Sequence, residues 1–143
     1  MDAELTARRR ALRSLLDEAR VIAVVGISSK PWRPSHGVAA YLQDNGYRIV
    51  PVNPHETEVL GEQAYASLLD IPSDLAIDVV DVFRRADETP EVARDAVTIG
   101  ARLLWLQEGI VSEEAGRIDI EGGLEVIMGV CIKRTKQRLD RED

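Results

Sequence analysis

The pattern of apolar runs and breaks in this chain predicts a three-layer, doubly wound, Rossmann-like α/β fold. It consists of a parallel sheet of about five strands with helices on both faces. Three observations carry that reading. Short continuous runs of β-branched and other apolar residues recur along the chain, as in strands buried on both faces. Amphipathic segments of helical period separate most of them, and glycine or proline marks most boundaries.

In order, Leu5, Leu12, Leu15 and Leu16 repeat at helical spacing among Arg, Asp and Glu, predicting an opening amphipathic helix that stops near Arg20 and packs on the sheet. Val21-Ile22-Ala23-Val24-Val25, ended by Gly26, predicts a central strand. An irregular stretch from Ile27 to Pro34 follows. Ser35 is read as the cap of a helix carrying Val38, Ala39, Tyr41 and Leu42, with Gly46 as its stop. The second strand spans Tyr47 to Val52 and is broken by Asn53-Pro54. Residues from Val59 to Leu69 form a short connecting segment, and a third strand runs from Ala76 to Phe83.

Thr89-Pro90 reads as a cap followed by proline at the first helical position, opening a helix that ends near Gly100. Arg102 to Leu106 is the fourth strand. Ser112 starts a helix that Gly122-Gly123 ends, Leu124 to Met128 is the fifth strand, and a basic helix closes the chain from about Lys133. Strands alternating with helices imply parallel pairing through right-handed crossovers. With 143 residues and no linker or repeat, the expectation is one domain over residues 1–143.

Composition narrows the function. A net charge of −7 and a pI near 4.9 set the protein against nucleic acid and anionic membrane surfaces. No apolar stretch is long enough to span a bilayer, and the charged opening residues do not resemble an export signal. Cys131, the single cysteine, can form no intrachain disulfide and belongs to no cysteine cluster, which fits a reducing compartment; the expected location is the cytoplasm.

In an open parallel sheet, ligands bind outside the carboxyl ends of the strands. That rule selects the loops Gly26 to Ser35, Asn53 to His55, Phe83 to Asp87, Gln107 to Ile110, and Cys131. Lys30, Arg33, His55, Arg84 and Arg85 gather there, so an acidic protein concentrates cations on one edge, as an anionic ligand would require. Gly26-Ile27-Ser28-Ser29 allows close backbone approach and hydroxyl donors beside a helix start, the chemistry that holds a pyrophosphate, although a plain strand-to-helix turn has the same composition. Arg33 offers a bidentate phosphate contact, or simply a solvated surface charge.

The loop reads Gly-Ile-Ser-Ser-Lys-Pro, not Gly-x-Gly-x-x-Gly, and Asn53-Pro54 stands where a dinucleotide fold places its ribose-binding acid; both features oppose a conventional NAD enzyme. Asn53 suits a ribose or adenine contact as well as it suits a turn. Phe83 fits a ligand channel or the core, Gln107 a ligand amide contact or a loop hydrogen bond, and Trp105 the core. Asp78 and Asp81 lie within the third strand and read as structural or cross-strand partners rather than an acid-base pair. Cys131 is either a thiol near the sulfur end of a ligand or a small apolar residue at a strand end. His36 and His55 have no metal-ligand or triad spacing, and nothing in these loops demands catalysis.

Four stretches carry a family resemblance: Val25-Gly26-Ile27-Ser28 with Arg33-Pro34-Ser35; Gly46-Tyr47 through Pro51-Val52-Asn53-Pro54; Asp78-Val79-Val80-Asp81-Val82-Phe83-Arg84; and Leu104-Trp105-Leu106-Gln107-Glu108-Gly109. In their order and spacing the chain resembles the stand-alone CoA-binding proteins, whose fold is similar to the CoA-binding domain of the succinyl-CoA synthetase α subunit. The resemblance implies coenzyme A or an acyl-CoA as ligand. It implies nucleotide and pyrophosphate contacts at Gly26, Ile27, Ser28, Ser29, Arg33 and Ser35, adenosine-side contacts at Asn53 and Pro54, and pantetheine-side contacts at Phe83, Arg84 and Gln107. Lys30, Arg33 and Arg84 would offset the phosphate charge. Family members often carry Asp-Arg before the cysteine where this chain has Gly129-Val130, so no role at that corner is carried over.

The leading expectation is therefore a module that senses, sequesters or presents CoA without chemistry of its own. The alternatives are an NAD(P)- or acyl-CoA-dependent enzyme, which would need a catalytic group in the edge loops, and a subunit of a CoA-utilising complex that requires a protein partner. A homo-oligomer is equally compatible with the sequence.

Overall fold

The computed structural model describes residues 3–142; Met1 at the start of the expected opening helix lies outside them. Strands β1 (Val21–Val25), β2 (Arg48–Val52), β3 (Glu58–Val59), β4 (Glu62–Gln63), β5 (Val79–Val82), β6 (Leu103–Leu106) and β7 (Glu125–Met128) alternate with helices α1 (Ala3–Glu18), α2 (Pro34–Asp44), α3 (Thr89–Thr98), α4 (Glu113–Glu121) and α5 (Ile132–Arg141). Five of the strands form one parallel sheet in the order β2-β1-β5-β6-β7, while β3 and β4 form a small antiparallel hairpin.

Side chains alternate across the sheet. Ile22, Val24, Ile49, Val79, Leu103 and Trp105 face a core completed by Leu16, Val38, Leu42, Ile132 and Leu139 from α1, α2 and α5. Ala23, Val25, Val50, Val80, Val82, Leu104 and Leu106 face a second core completed by Ala93 and Ala96 of α3 and Ala115 of α4. Burial on both faces is why these strands read as unbroken apolar runs.

Asp78 holds the amino end of β1: its Oδ2 accepts from the amides of Arg20 at 2.8 Å and Val21 at 3.0 Å. The structural role expected for it is therefore the observed one. Asp81 differs. It is fully buried in the middle of β5, neither carboxyl oxygen has a hydrogen-bond partner among the described residues, and burial drives its pKa well above the ordinary carboxylate range by disfavouring the charged form. Trp105 is core, its indole NH donating to the Val130 carbonyl at 2.8 Å.

Two helix starts differ from expectation. Pro34 is itself helical, Arg33 occupies the cap position, and Ser35 lies inside the first turn with no capping bond to the helix. Thr89 is likewise already helical, and its hydroxyl donates back to the Ala86 carbonyl at 2.7 Å. Ser112 does cap α4, its Oγ accepting from the Ala115 amide at 3.1 Å. The connecting segment contains the β3–β4 hairpin, turned at Leu60 and Gly61 with φ of 54° and 78°.

The chain leaves β1 for β2 on one side and then crosses back to β5 on the other. The carboxyl ends of β1 and β5 thus diverge into different loops, and this switch point is where the fold opens a crevice.

Candidate functional site at the switch point

Gly26 ends β1 with φ +86°. A Cβ there would lie 2.5 Å from the Phe83 carbonyl oxygen and 3.5 Å from Cδ of Arg84, so only glycine lets the loops after β1 and β5 meet. Its amide donates to the Val52 carbonyl at 2.8 Å, and the Phe83 amide donates to Val25 at 2.8 Å, which ties the ends of β2, β1 and β5 together.

Beyond Gly26 the loop is rigidly cross-linked. Ile27 is fully buried in the core, so only its backbone reaches the edge, and its carbonyl accepts from Asn53 Nδ2 at 2.8 Å. The Ser28 amide donates to Ser35 Oγ at 3.0 Å, and Ser28 Oγ accepts from the Lys30 amide at 3.1 Å. The Ser29 amide donates to the Glu56 carboxylate at 2.7 Å. That bond and one from the Ser29 hydroxyl lower the Glu56 pKa, aided by nearby Lys30 and His55. The amides of Ser28, Ser29 and Lys30 are thus met by side-chain oxygens, one of them anionic.

Asn53 spends its side chain on the loops themselves, donating to Ile27 and accepting from the His55 amide at 2.9 Å, while its carbonyl accepts from the Glu56 amide at 3.2 Å. The turn-forming reading of Asn53 is the observed geometry. This turn aims Glu56 at Ser29. Of the expected cations, Arg85 is exposed and paired with Asp87 and Glu88 at 3.3 Å each, so it leaves the cluster. Lys30 lies over the exposed ring of Trp32, 5.9 Å from its centroid.

Three cavities line this edge. One of about 680 Å³ is bordered by Gly26, Ser28, Ser29, Lys30, Arg33, Ser35, His55 and Glu56. It adjoins a second, of about 770 Å³, with which it shares Arg33, Pro34 and Phe83; this one runs past Trp32, Gln107 and Ile110 to Cys131. A smaller one of about 240 Å³ lies on the α3 side, between Pro54, Leu68, Arg84 and Val92, with Glu88, Glu91 and Asp95 on its wall. Pro54 and Arg84 therefore stand apart from the serine loop, in a separate recess.

Gln107 is only 4% exposed; its Oε1 accepts from the Ile132 amide at 3.1 Å, and its Nε2 has no partner among the described residues while the side chain borders the large cavity. Of the two roles weighed for it, the hydrogen bond is the observed one, and it holds the start of α5. Cys131 is half-buried at the cap position of α5, on the same cavity. The residues not singled out from sequence are Trp32, set among prolines in an edge loop, and Glu56, whose partner lies 27 positions away. Among the described residues no group of three or more His, Cys, Asp or Glu side chains is placed to hold a metal ion, and no helix is long and apolar enough to cross a membrane.

A five-stranded parallel sheet of this order, with cavities at its switch point, defines a Rossmann-like α/β fold. The chain belongs to the CoA binding domain family, whose model matches residues 20–137. It is 45% identical over 122 residues to the uncharacterized protein YneT of Bacillus subtilis (strain 168), covering 85% of this chain and 89% of that one. A hypothetical protein from Pyrococcus horikoshii OT3 superposes with a TM-score of 0.88 at 38% identity, covering 92% of this chain and 91% of the other. Over 95 residues, 65% of this chain, it is 30% identical to the ADP-forming acetate–CoA ligase II of Archaeoglobus fulgidus; the match spans 14% of that ligase.

Proposed function

We propose that this protein, a single domain over residues 1–143, binds coenzyme A or an acyl-CoA across the switch point and has no chemistry of its own. The observation that carries the reading is the pair of adjoining cavities joined through Arg33, Pro34 and Phe83: one is bordered by the serine loop with Lys30, and the other runs past Trp32, Ile110 and Gln107, with Lys133 and Arg134 on its wall, to a half-buried thiol. A ligand with a phosphate-bearing head and a long, amide-containing arm ending in sulfur matches that sequence of surfaces. The diphosphate would lie against Gly26, the backbone of Ile27, Ser28, Ser29 and Ser35, with Lys30 and Arg33 supplying positive charge. Asn53 and Pro54 lie on the adenosine side, with Arg84 beside Pro54 in the smaller recess. Pantetheine would pass Phe83, with a donor from Gln107 Nε2.

This placement moves Arg84 from the pantetheine side toward the nucleotide. Family membership supports the ligand, and the likeness to a short part of an acetate–CoA ligase agrees with it without bringing that enzyme's reaction along. The free thiol fits work in the reducing cytoplasm.

The test is thermal unfolding of ligand-stripped protein titrated separately with CoA, dephospho-CoA, acetyl-CoA, NAD and NADP. A ligand at a hundredfold its Kd stabilises the folded state by about 2.7 kcal/mol, a shift of several degrees. A saturable rise with CoA or acetyl-CoA and none with NAD is expected. A response to NAD or NADP alone would defeat the proposal.

A further inference from the structure

We infer that Glu56 is a specificity-determining residue of this site: an internal anion seated on the Ser29 amide, which a phosphate oxygen of the ligand must displace. The inference rests on the proposed ligand for the identity of the incoming phosphate, but its anion chemistry stands on the loop geometry.

Glu56 Oε2 lies 2.7 Å from the Ser29 nitrogen, the length of a charge-assisted hydrogen bond, on the loop where the β1 backbone turns toward α2. The carboxylate is not there by chance of rotamer alone. Asn53 donates to Ile27, accepts from His55 and receives the Glu56 amide on its carbonyl, so the turn after β2 is bolted to the loop after β1 with Glu56 on the near side. Lys30, Arg33 and His55 border the same cavity, so an anion is favoured at this point whether it is a carboxylate or a phosphate.

The consequence is selection by charge. A phosphate oxygen replaces a carboxylate oxygen on the same donor, and Glu56 swings into water, where its solvation is recovered. A neutral arm such as pantetheine offers Ser29 only uncharged amide or hydroxyl oxygens, weaker acceptors than the carboxylate they would displace, and gains nothing from the exchange. A seat occupied internally about nine-tenths of the time lowers the apparent affinity of a phosphate ligand about tenfold. Glu56 therefore sets a threshold that only strongly anionic ligands pass.

The experiment follows the Ser29 amide by two-dimensional NMR in wild type, Glu56→Gln and Glu56→Asp, each titrated with inorganic pyrophosphate, CoA and pantetheine. Without ligand, the Ser29 amide proton should move upfield in both variants as the charged bond is lost. Pyrophosphate should bind Glu56→Gln about three- to tenfold more tightly than wild type. It should also bind Glu56→Asp more tightly, because aspartate keeps the charge but is one methylene too short to reach. Unchanged or weaker pyrophosphate affinity in Glu56→Gln overturns the inference. So does a Glu56→Asp protein that matches wild type, which would mean a general field and no seat, and so does the absence of pyrophosphate binding in all three. Pyrophosphate tightening without any CoA response would sustain the seat and overturn the CoA reading, so the two fail separately.

Discussion

Replacing Gly26 by alanine tests the junction on which both fold and site depend. Two costs are separable. Any L-residue at φ +86° pays roughly 1–2 kcal/mol for the left-handed backbone. The added Cβ would also meet the Phe83 carbonyl oxygen at 2.5 Å, and that oxygen belongs to backbone, so relief requires the ends of β1 and β5 to part. Overpacking of this kind costs about 1–3 kcal/mol. Gly46 supplies the control: its φ is +94°, and a Cβ there meets nothing within 4 Å, so Gly46→Ala pays the first cost alone. Urea unfolding of both variants should therefore place Gly26→Ala about 1–3 kcal/mol below Gly46→Ala. Because parting the strands also distorts the serine loop, CoA affinity should fall in Gly26→Ala and stay at wild-type strength in Gly46→Ala. Equal stability losses in the two variants would refute the steric argument, and unaltered CoA binding in Gly26→Ala would refute the placement of the ligand at this junction.

Three further outcomes are expected. Asp119 on α4 is fully buried with neither carboxyl oxygen bonded among the described residues, and burial raises its pKa from 3.8 to about 7. Its contribution is whole below pH 3.8 and is lost as pH rises through about 7, so Asp119→Asn should remove a decline of roughly 4 kcal/mol at most across that window; parallel urea midpoints for the two proteins from pH 5 to 8 would disprove it. Arg33→Glu should weaken CoA binding at least tenfold, about 1.4 kcal/mol or more, with an unchanged melting temperature of the free protein, and unchanged affinity in calorimetry would remove Arg33 from the site. Asp78→Ala strips the acceptor from the Arg20 and Val21 amides and should lower stability by about 1–3 kcal/mol while leaving CoA affinity intact, as measured by urea melts and titration; a loss of affinity matching the loss of stability would count against its purely structural role.

What could be read along the chain follows from the range over which each feature is encoded. The five parallel strands were legible because a strand buried on both faces needs apolar residues at consecutive positions, as at Val21–Val25 and Leu103–Leu106. Their ends were set by contacts outside the pattern: Ala76 and Ile77 continue the apolar run of β5, yet pairing with β1 begins at Val79, where Asp78 turns to the Arg20 and Val21 amides. The β3–β4 hairpin escaped notice because strands of two residues are too short for alternation to show. Ser35 and Thr89 look like caps by residue type, but the fixed φ of Pro34 starts α2 two residues sooner, and Thr89 turns back to Ala86.

The site divides along the same line. Gly26 was visible because a glycine closing a buried run announces a backbone that a side chain would obstruct, and the structure supplies the obstruction in Phe83. Glu56 was invisible for the opposite reason. A dinucleotide fold keeps its acid where this chain has Asn53-Pro54, whereas here the turn built by Asn53 delivers a carboxylate to the serine loop from three positions further on. Neither residue type nor spacing within one loop records that contact, because it exists only once β1 and β2 lie side by side. A ligand site assembled from several strand ends is therefore announced in sequence by what each loop must permit. What the loops do to one another has to be read from the fold.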